Sequence, residues 1–299
     1  MKSRHPLLLV PVLAATLAAC AKTDAAPATD STAPAAASAS ARAGAASTVA
    51  PTLVNIVASD YAYEAPDTIT AGLVTLQLVN KGPEMHHVQL FRLTGGKTFA
   101  DLAAGMKSMK PDAPLPPWME LLAGPNVPGS AEGQQVTQEL APGAYALVCV
   151  IPDSKGVPHF ALGMMRPLTV ISATGPTATV PTADVQVTMS DYAWDVTPVI
   201  TAGKHVVRLE NTAAQPHEML LVKLEKGKTA ADFVQWTQTM MGPPPAAPMG
   251  GTSGMQKGTV AYVPVDLPAG EYAMICFLPD AKDGKPHIAH GMVKQFTVS

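Results

Sequence analysis

The sequence predicts an all-β protein built of two tandem Greek-key β-sandwiches, each interrupted by one short inserted helix. Three observations predict this. Long stretches of the chain recur after about 130 residues, a period that marks a duplicated domain and not a solenoid. Apolar and polar residues alternate in short runs divided by turns, and 29 Pro and 23 Gly suit such a chain better than a helical bundle. Each half also carries one helix-start signal.

Taken in order, residues 1–20 read as a targeting segment. Lys2 and Arg4 form a basic start, and Leu7 to Leu17 an apolar stretch too short to span a bilayer. It ends in Leu17-Ala18-Ala19-Cys20, which is similar to the lipobox of bacterial lipoproteins. That resemblance implies cleavage before Cys20 and acylation of its thiol, leaving the mature protein anchored to a membrane by lipid. Residues 21–51 are mostly Ala, Ser, Thr and Pro and cannot bury a core, so they read as a disordered tether. Residues 52–172 and 184–299 form the two domains, joined by a Thr/Pro/Ala linker at 173–183.

The repeat is visible residue by residue. Ser59-Asp60-Tyr61-Ala62-Tyr63 matches Ser190-Asp191-Tyr192-Ala193-Trp194, and the same offset carries Asn80 onto Asn211 and His86 onto His217. Leu73 to Val79 and His205 to Glu210 alternate as half-buried strands. Further strands, Val88 to Leu93 and Met219 to Leu224, follow the histidine loops. Thr98-Phe99-Ala100-Asp101 and Thr229-Ala230-Ala231-Asp232 are capping boxes with Asp in place of Glu. Each opens a helix that should run to near Met109 or Met241, ahead of Pro111 and Pro243.

A net charge of −3 with no basic stripe argues against a nucleic-acid partner. Beyond Cys20 the chain has two cysteines, Cys149 and Cys276, at equivalent places in the repeats. A disulfide between them would need their Cα atoms within about 7 Å, which two separate domain cores do not offer. Unpaired thiols in an exported protein call for an occupant.

Residue order supplies one. Cys149, His159 and Met164 follow one another on one short segment, as do Cys276, His287 and Met292. His86 and His217 lie upstream, each in a loop led by Asn. Two His and one Cys in a plane with a weak axial Met favour copper cycling between Cu(I) and Cu(II). Each ligand has a plainer reading, as a small buried thiol, a turn histidine or a core methionine. The recurrence of all four types in one order outweighs those readings. His87 is the alternative to His86 in the first half; Glu218 stands at its place in the second.

On these residues each half resembles a cupredoxin, the blue copper family that includes plastocyanin, azurin and rusticyanin. Cys149-Val-Ile-Pro152 and Pro158-His-Phe-Ala-Leu-Gly-Met164 are similar to rusticyanin's ligand loop. The resemblance implies two mononuclear type 1-like copper sites, His86/Cys149/His159/Met164 and His217/Cys276/His287/Met292. It also implies electron exchange with redox proteins, which the sequence does not identify. One departure is plain: nine residues separate Cys149 from His159, and ten separate Cys276 from His287, where the family has a short loop. The polar, Gly-containing surplus is expected to bulge out as a turn and return the Pro-His to the metal.

Multicopper oxidases need His-x-His pairs and a His-Cys-His, and none occurs among the eight His. The reading is therefore an exported electron-transfer protein and not an enzyme. It would lie on the periplasmic face of an outer membrane or at the cell surface. The alternatives are copper delivery or storage, or a copper-free cupredoxin-fold binding module.

Overall fold

Alternation becomes strand in both halves because a period of two lets one face of each strand bury its apolar side chains. The structure is a computed structural model that describes residues 49–109, 115–129, 131 and 133–299. The targeting segment with Cys20, most of the tether and Pro111 lie outside the described residues. In the first half the strands are β1 (Thr52–Ser59), β2 (Ala62–Glu64), β3 (Thr68–Thr70), β4 (Gly72–Asn80), β5 (Gln89–Leu93), β6 (Met119–Leu122), β7 (Gln134–Leu140), β8 (Gly143–Val148) and β9 (Met165–Ile171). In the second they are β10 (Val185–Ser190), β11 (Ala193–Thr197), β12 (Gly203–Asn211), β13 (His217–Leu224), β14 (Ala246–Met255), β15 (Val260–Leu267), β16 (Gly270–Ile275) and β17 (Val293–Val298).

Each half is a Greek-key sandwich. In the first, β2-β1-β4-β7 face β3-β9-β8-β5-β6; in the second, β11-β10-β12-β15 face β14-β13-β16-β17. The chain crosses between layers so that β1 pairs in parallel with β4, and β10 with β12. Between the layers, Ile56, Leu76, Leu90 and Leu147 pack the first core, while Val187, Leu209, Leu221 and Met274 pack the second.

The halves are joined through their sheets. β7 pairs with β15, Thr137 opposite Tyr262, so two four-stranded layers run on as one eight-stranded sheet. Beside this seam β14 meets the loop after β6. Asn126 Nδ2 donates to Thr252 O (3.1 Å), Ser253 N to Gly124 O (2.8 Å) and Gln89 Nε2 to Gly254 O (2.9 Å). Glycine is needed here: a Cβ on Gly250 would stand 1.6 Å from Gln134 Oε1, and one on Gly129 2.6 Å from Pro248 O.

The two helices lie on the outer faces. Both capping boxes form, with Thr98 and Thr229 accepting from the N–H of Asp101 and Asp232 and the carboxylates bonding back. α1 (Phe99–Ser108) buries Leu102 and Met106 against Phe91, Leu93 and Ala146. Burying Leu102 alone stabilises by about 1.5–3 kcal/mol. α2 (Ala230–Thr237) ends four residues short of the expected Met241. There Gln238 and Thr239 bond three residues back, Met240 turns to φ 51°, and the Trp236 indole donates to Gly242 O. The tightened turn stops the helix before Pro243 is reached. Among the described residues no helix is long and apolar enough to cross a membrane.

Candidate metal centres

Each centre is assembled by backbone geometry at one end of a sandwich. β4 ends at Asn80, whose Nδ2 donates to Glu84 O (2.6 Å) and whose Oδ1 accepts from Gly82 N (2.9 Å), folding the loop that delivers His86. Asn211 does the same for His217, donating to Gln215 O (3.0 Å) and accepting from Ala213 N (2.9 Å). Cys149 follows β8 and Cys276 follows β16. Their N–H groups donate to Met164 O (3.1 Å) and Met292 O (3.3 Å), and the Met N–H groups donate to His159 O and His287 O. Cys, His and Met are thus tied into one closed turn, finished by Gly163 and Gly291 at φ 111° and 91°.

The long Cys-to-His loops resolve as expected. Asp153 N donates to Val157 O (2.9 Å) and Asp280 N to Lys285 O (2.8 Å), so the surplus residues form a small outward hairpin. Pro152 then pairs with Pro158, and Pro279 with Pro286, closing the hairpin at its neck. Past the neck, His159 N donates to Ile151 O and His287 N to Leu278 O, both 2.9 Å.

The six His and Cys residues named from the sequence converge as two sets of three, each with its Met buried in the same core. His86, Cys149 and His159, and likewise His217, Cys276 and His287, place their donor atoms within 4.8 Å of one another. All six are fully buried, as are Met164 and Met292, which share the cores of Cys149 and Cys276. His86 Nδ1 lies 3.1 Å from His159 Nδ1, and Cys149 Sγ 3.5 Å from the latter. In the second centre the two Nδ1 atoms are 2.9 Å apart, with Cys276 Sγ 3.3 Å from His287 and 3.9 Å from His217. Cys20 lies outside the described residues.

The outer ring nitrogens contact carboxylates that sequence reasoning missed. His86 Nε2 meets Asp60 Oδ1 (2.6 Å), His159 Nε2 meets Glu84 Oε2 (2.8 Å), and His217 Nε2 meets Asp191 Oδ1 (3.1 Å). The signal was present in the repeated Ser-Asp-Tyr, which carries Asp60 and Asp191. His287 differs: its Nε2 is buried without a hydrogen bond, 3.9 Å from Asp280 Oδ2. Asp280 is engaged instead by Tyr192 and Gln215, which with the Lys282 N–H hold its carboxyl well below the usual range.

The donor chemistry fits a thiophilic cation. A carboxylate accepting from Nε2–H fixes the tautomer that leaves Nδ1 bare. In the first centre two bare nitrogens then face each other across 3.1 Å beside a thiol, a repulsion that a cation relieves. Metal–N bonds of about 2.0 Å and a metal–S bond of about 2.3 Å hold donors at separations close to those seen. Without metal the thiols are neutral: burial pushes Cys149 up to about 11 and Cys276 higher still. Burial lowers His159 and His217, and burial with repulsion from His217 takes His287 down to about 4. Protons therefore compete little with a metal for these three imidazoles.

His87, the alternative ligand, takes no part in the cluster. Its Nε2 accepts from Val150 N (3.2 Å), and Glu218 Oε1 accepts from Phe277 N (2.8 Å). Both grip the backbone just after the cysteine. His290 is a surface residue against Asp283 (3.1 Å).

Each half is a cupredoxin-like sandwich with a type 1-like His–Cys–His set and a buried Met, as the resemblance implied. No family model and no curated protein matches the chain in sequence. Among solved structures, a reduced auracyanin from Roseiflexus castenholzii is 23% identical, covering 38% of this chain and 94% of that one with a TM-score of 0.29. A blue copper oxidase from Nitrosomonas europaea is 12% identical, covering 83% of this chain and 86% of that one (TM-score 0.23). A copper nitrite reductase from the same organism is 12% identical and covers 83% and 94% (TM-score 0.24). The expectation that the chain is not an enzyme is corrected by this finding. The structures matched over 83% of the chain are themselves oxidases and a nitrite reductase, so ligand count alone does not set enzymatic activity aside.

Proposed function

We propose that this chain is an exported, lipid-anchored copper protein that exchanges single electrons with redox proteins at a membrane. His86, Cys149, His159 and Met164 hold one ion, and His217, Cys276, His287 and Met292 the other. The observation that carries this reading is the pair of fully buried His–Cys–His clusters built from equivalent positions. Copper held by this donor set supplies one-electron chemistry between Cu(I) and Cu(II). The protein's own groups make the site ready. Each thiol releases its proton when metal enters, so loading strengthens as pH rises. The outer carboxylates keep three of the four imidazoles turned inward, and burial excludes water.

The test is a visible spectrum with metal analysis of the reconstituted protein. We expect up to two coppers per chain and a thiolate-to-Cu(II) band; a colourless protein without stoichiometric copper overturns the reading. Copper delivery or storage is the second reading, favoured by Met240 and Met241, which stand 37% and 79% exposed beyond α2. Rapid Cu(I) hand-over to a chelator without any visible band would select it.

The anchor rests on Leu17-Ala18-Ala19-Cys20 and places the protein on the periplasmic face of an outer membrane or the cell surface. Cys20→Ser should move the protein from the membrane fraction to the soluble one. A variant still bound to membranes overturns the anchor and leaves the copper reading untouched.

A further inference from the structure

A cavity of about 460 Å³ opens where the two halves meet, within the size range of small-molecule sites. Its walls come from matching positions of the repeat. Each half gives the residue after its first histidine, His87 and Glu218, and the three residues after its cysteine, 150–152 and 277–279. The cavity therefore lies between the two metal centres without using any of their ligands. A third wall is aromatic: Phe233 and Trp236 of α2 stack at 5.9 Å with an interplanar angle of 23°. A flat apolar ring suits such a wall.

The polar atoms narrow the ligand further. Four buried polar side chains line the cavity: His87, Gln89, Asn126 and Glu218. Two are spent on holding the seam. Gln89 Nε2 donates to Leu90 O, Leu122 O and Gly254 O, and Asn126 donates to Thr252 O while accepting from Val127 N. The other two are half-used. Glu218 bonds Phe277 N through Oε1 alone, and no partner for Oε2 is found among the described residues. His87 accepts from Val150 N at Nε2, which makes Nδ1 the protonated nitrogen of the neutral ring, again without a partner among the described residues. The cavity thus offers one acceptor and one donor within an apolar enclosure.

We propose that this cavity binds a small aromatic compound with two ring oxygens, of the substituted hydroquinone class. One hydroxyl donates to Glu218, the other oxygen accepts from His87, and the ring lies against Phe233 and Trp236. The proposal concerns binding alone and does not depend on copper.

Calorimetric titration under argon tests it, using the full chain both metal-free and loaded with Cu(I). The probes are trimethylhydroquinone and its dimethyl ether, which keeps the ring and lacks both donors. Saturable hydroquinone binding to both protein forms is expected, with the ether at least tenfold weaker. Glu218→Gln keeps the Phe277 bond and turns the cavity-facing acceptor into a donor, so it too should weaken binding about tenfold. Thr237→Trp, at the helix end that lines the cavity, should abolish binding while the melting curve shows an intact fold. No saturable heat, equal affinity for the ether, or unchanged affinity in Thr237→Trp would each overturn the proposal. Should Glu218→Gln fail to fold, the ether comparison on the unaltered protein still decides. Because the metal-free arm stands alone, its result is separate from that of the copper reading.

Discussion

In the first half both ligand imidazoles turn their outer nitrogen to a carboxylate, His86 to Asp60 and His159 to Glu84; in the second only His217 does so, to Asp191. Two aligned substitutions lie behind this, and a third leaves its role intact. Glu84 becomes Gln215, which turns to Asp280 and leaves His287 Nε2 without a bond. Gly82 becomes Ala213. A Cβ on Gly82 would lie 2.3 Å from Asp60 Oδ1, and where Ala213 carries that Cβ the carboxylate contact lengthens from 2.6 to 3.1 Å. His87 becomes Glu218, and here the role survives the change, since both accept the N–H after the cysteine. Duplication has kept the donors and let their support diverge. The first centre has the more firmly oriented histidines.

The comparison breaks most sharply at the cysteines. Cys149→Ser should remove one copper and its visible band while the second centre keeps its own, and Cys276→Ser should do the converse. Metal analysis with the spectrum of each variant checks this. Loss of both bands from one replacement would show that the centres depend on each other across the shared sheet. A smaller effect is expected one layer out. Glu84→Gln removes a carboxylate in hydrogen-bond contact and should weaken the first centre's copper affinity about 10- to 100-fold. Asp280→Asn, whose carboxylate stands 3.9 Å from its histidine, should change the second centre's far less. Competition with a Cu(I) chelator measures both. Equal losses would mean that the second centre uses Asp280 once metal is bound.

The smallest effect concerns pH and the metal-free protein. Burial, with repulsion from His159 and His86, pushes His87 down from 6.5 to about 3, and burial lifts Glu218 from 4.5 to about 7. Folded protein with a depressed His binds fewer protons than unfolded chain, so His87 adds stability as pH rises from about 3 to 6.5. Glu218 has the opposite sign, its contribution being present below 4.5 and lost as pH rises to about 7. The two offset each other between 4.5 and 6.5. His87→Gln should therefore expose a melting temperature that falls by a few degrees across that window, and Glu218→Gln one that rises. Parallel melting profiles in the two variants would break the comparison.

The ligands were legible because order and spacing along a short segment do not need the fold, and the repeat supplied a second copy of each. Strands β4 and β12 were legible from alternation, and both helix starts from Thr-x-x-Asp. Strand β14 was not. Its residues, Ala246 to Met255, include a proline and three glycines and read as irregular loop. They extend because Gly251 lets the strand close onto Met219 of its neighbour β13 and Gly250 leaves room for Gln134 from across the seam, tertiary demands that local propensity does not carry. The pairing of β7 with β15 was hidden for the same reason, since Thr137 and Tyr262 lie in different halves and neither strand's pattern names the other. Asp60 and Glu84 were passed over because isolated carboxylates are common on surfaces, and only the folded loop brings them to the rings.

The proline necks at Pro152–Pro158 and Pro279–Pro286 make each Cys-to-His hairpin a side branch of the chain. Whatever happens beyond the neck, the strand is handed back at the same place, which is why nine intervening residues and ten deliver a histidine to the same bond, Ile151 O or Leu278 O, at 2.9 Å. A difference of one residue in that branch leaves the histidine's bond unchanged, although its first residue in the second half, Asp280, packs against Tyr192 and Gln215. A foreign peptide spliced at the tip of the hairpin, past Asp153 or Asp280, would ride on the protein's surface beside the site as a handle.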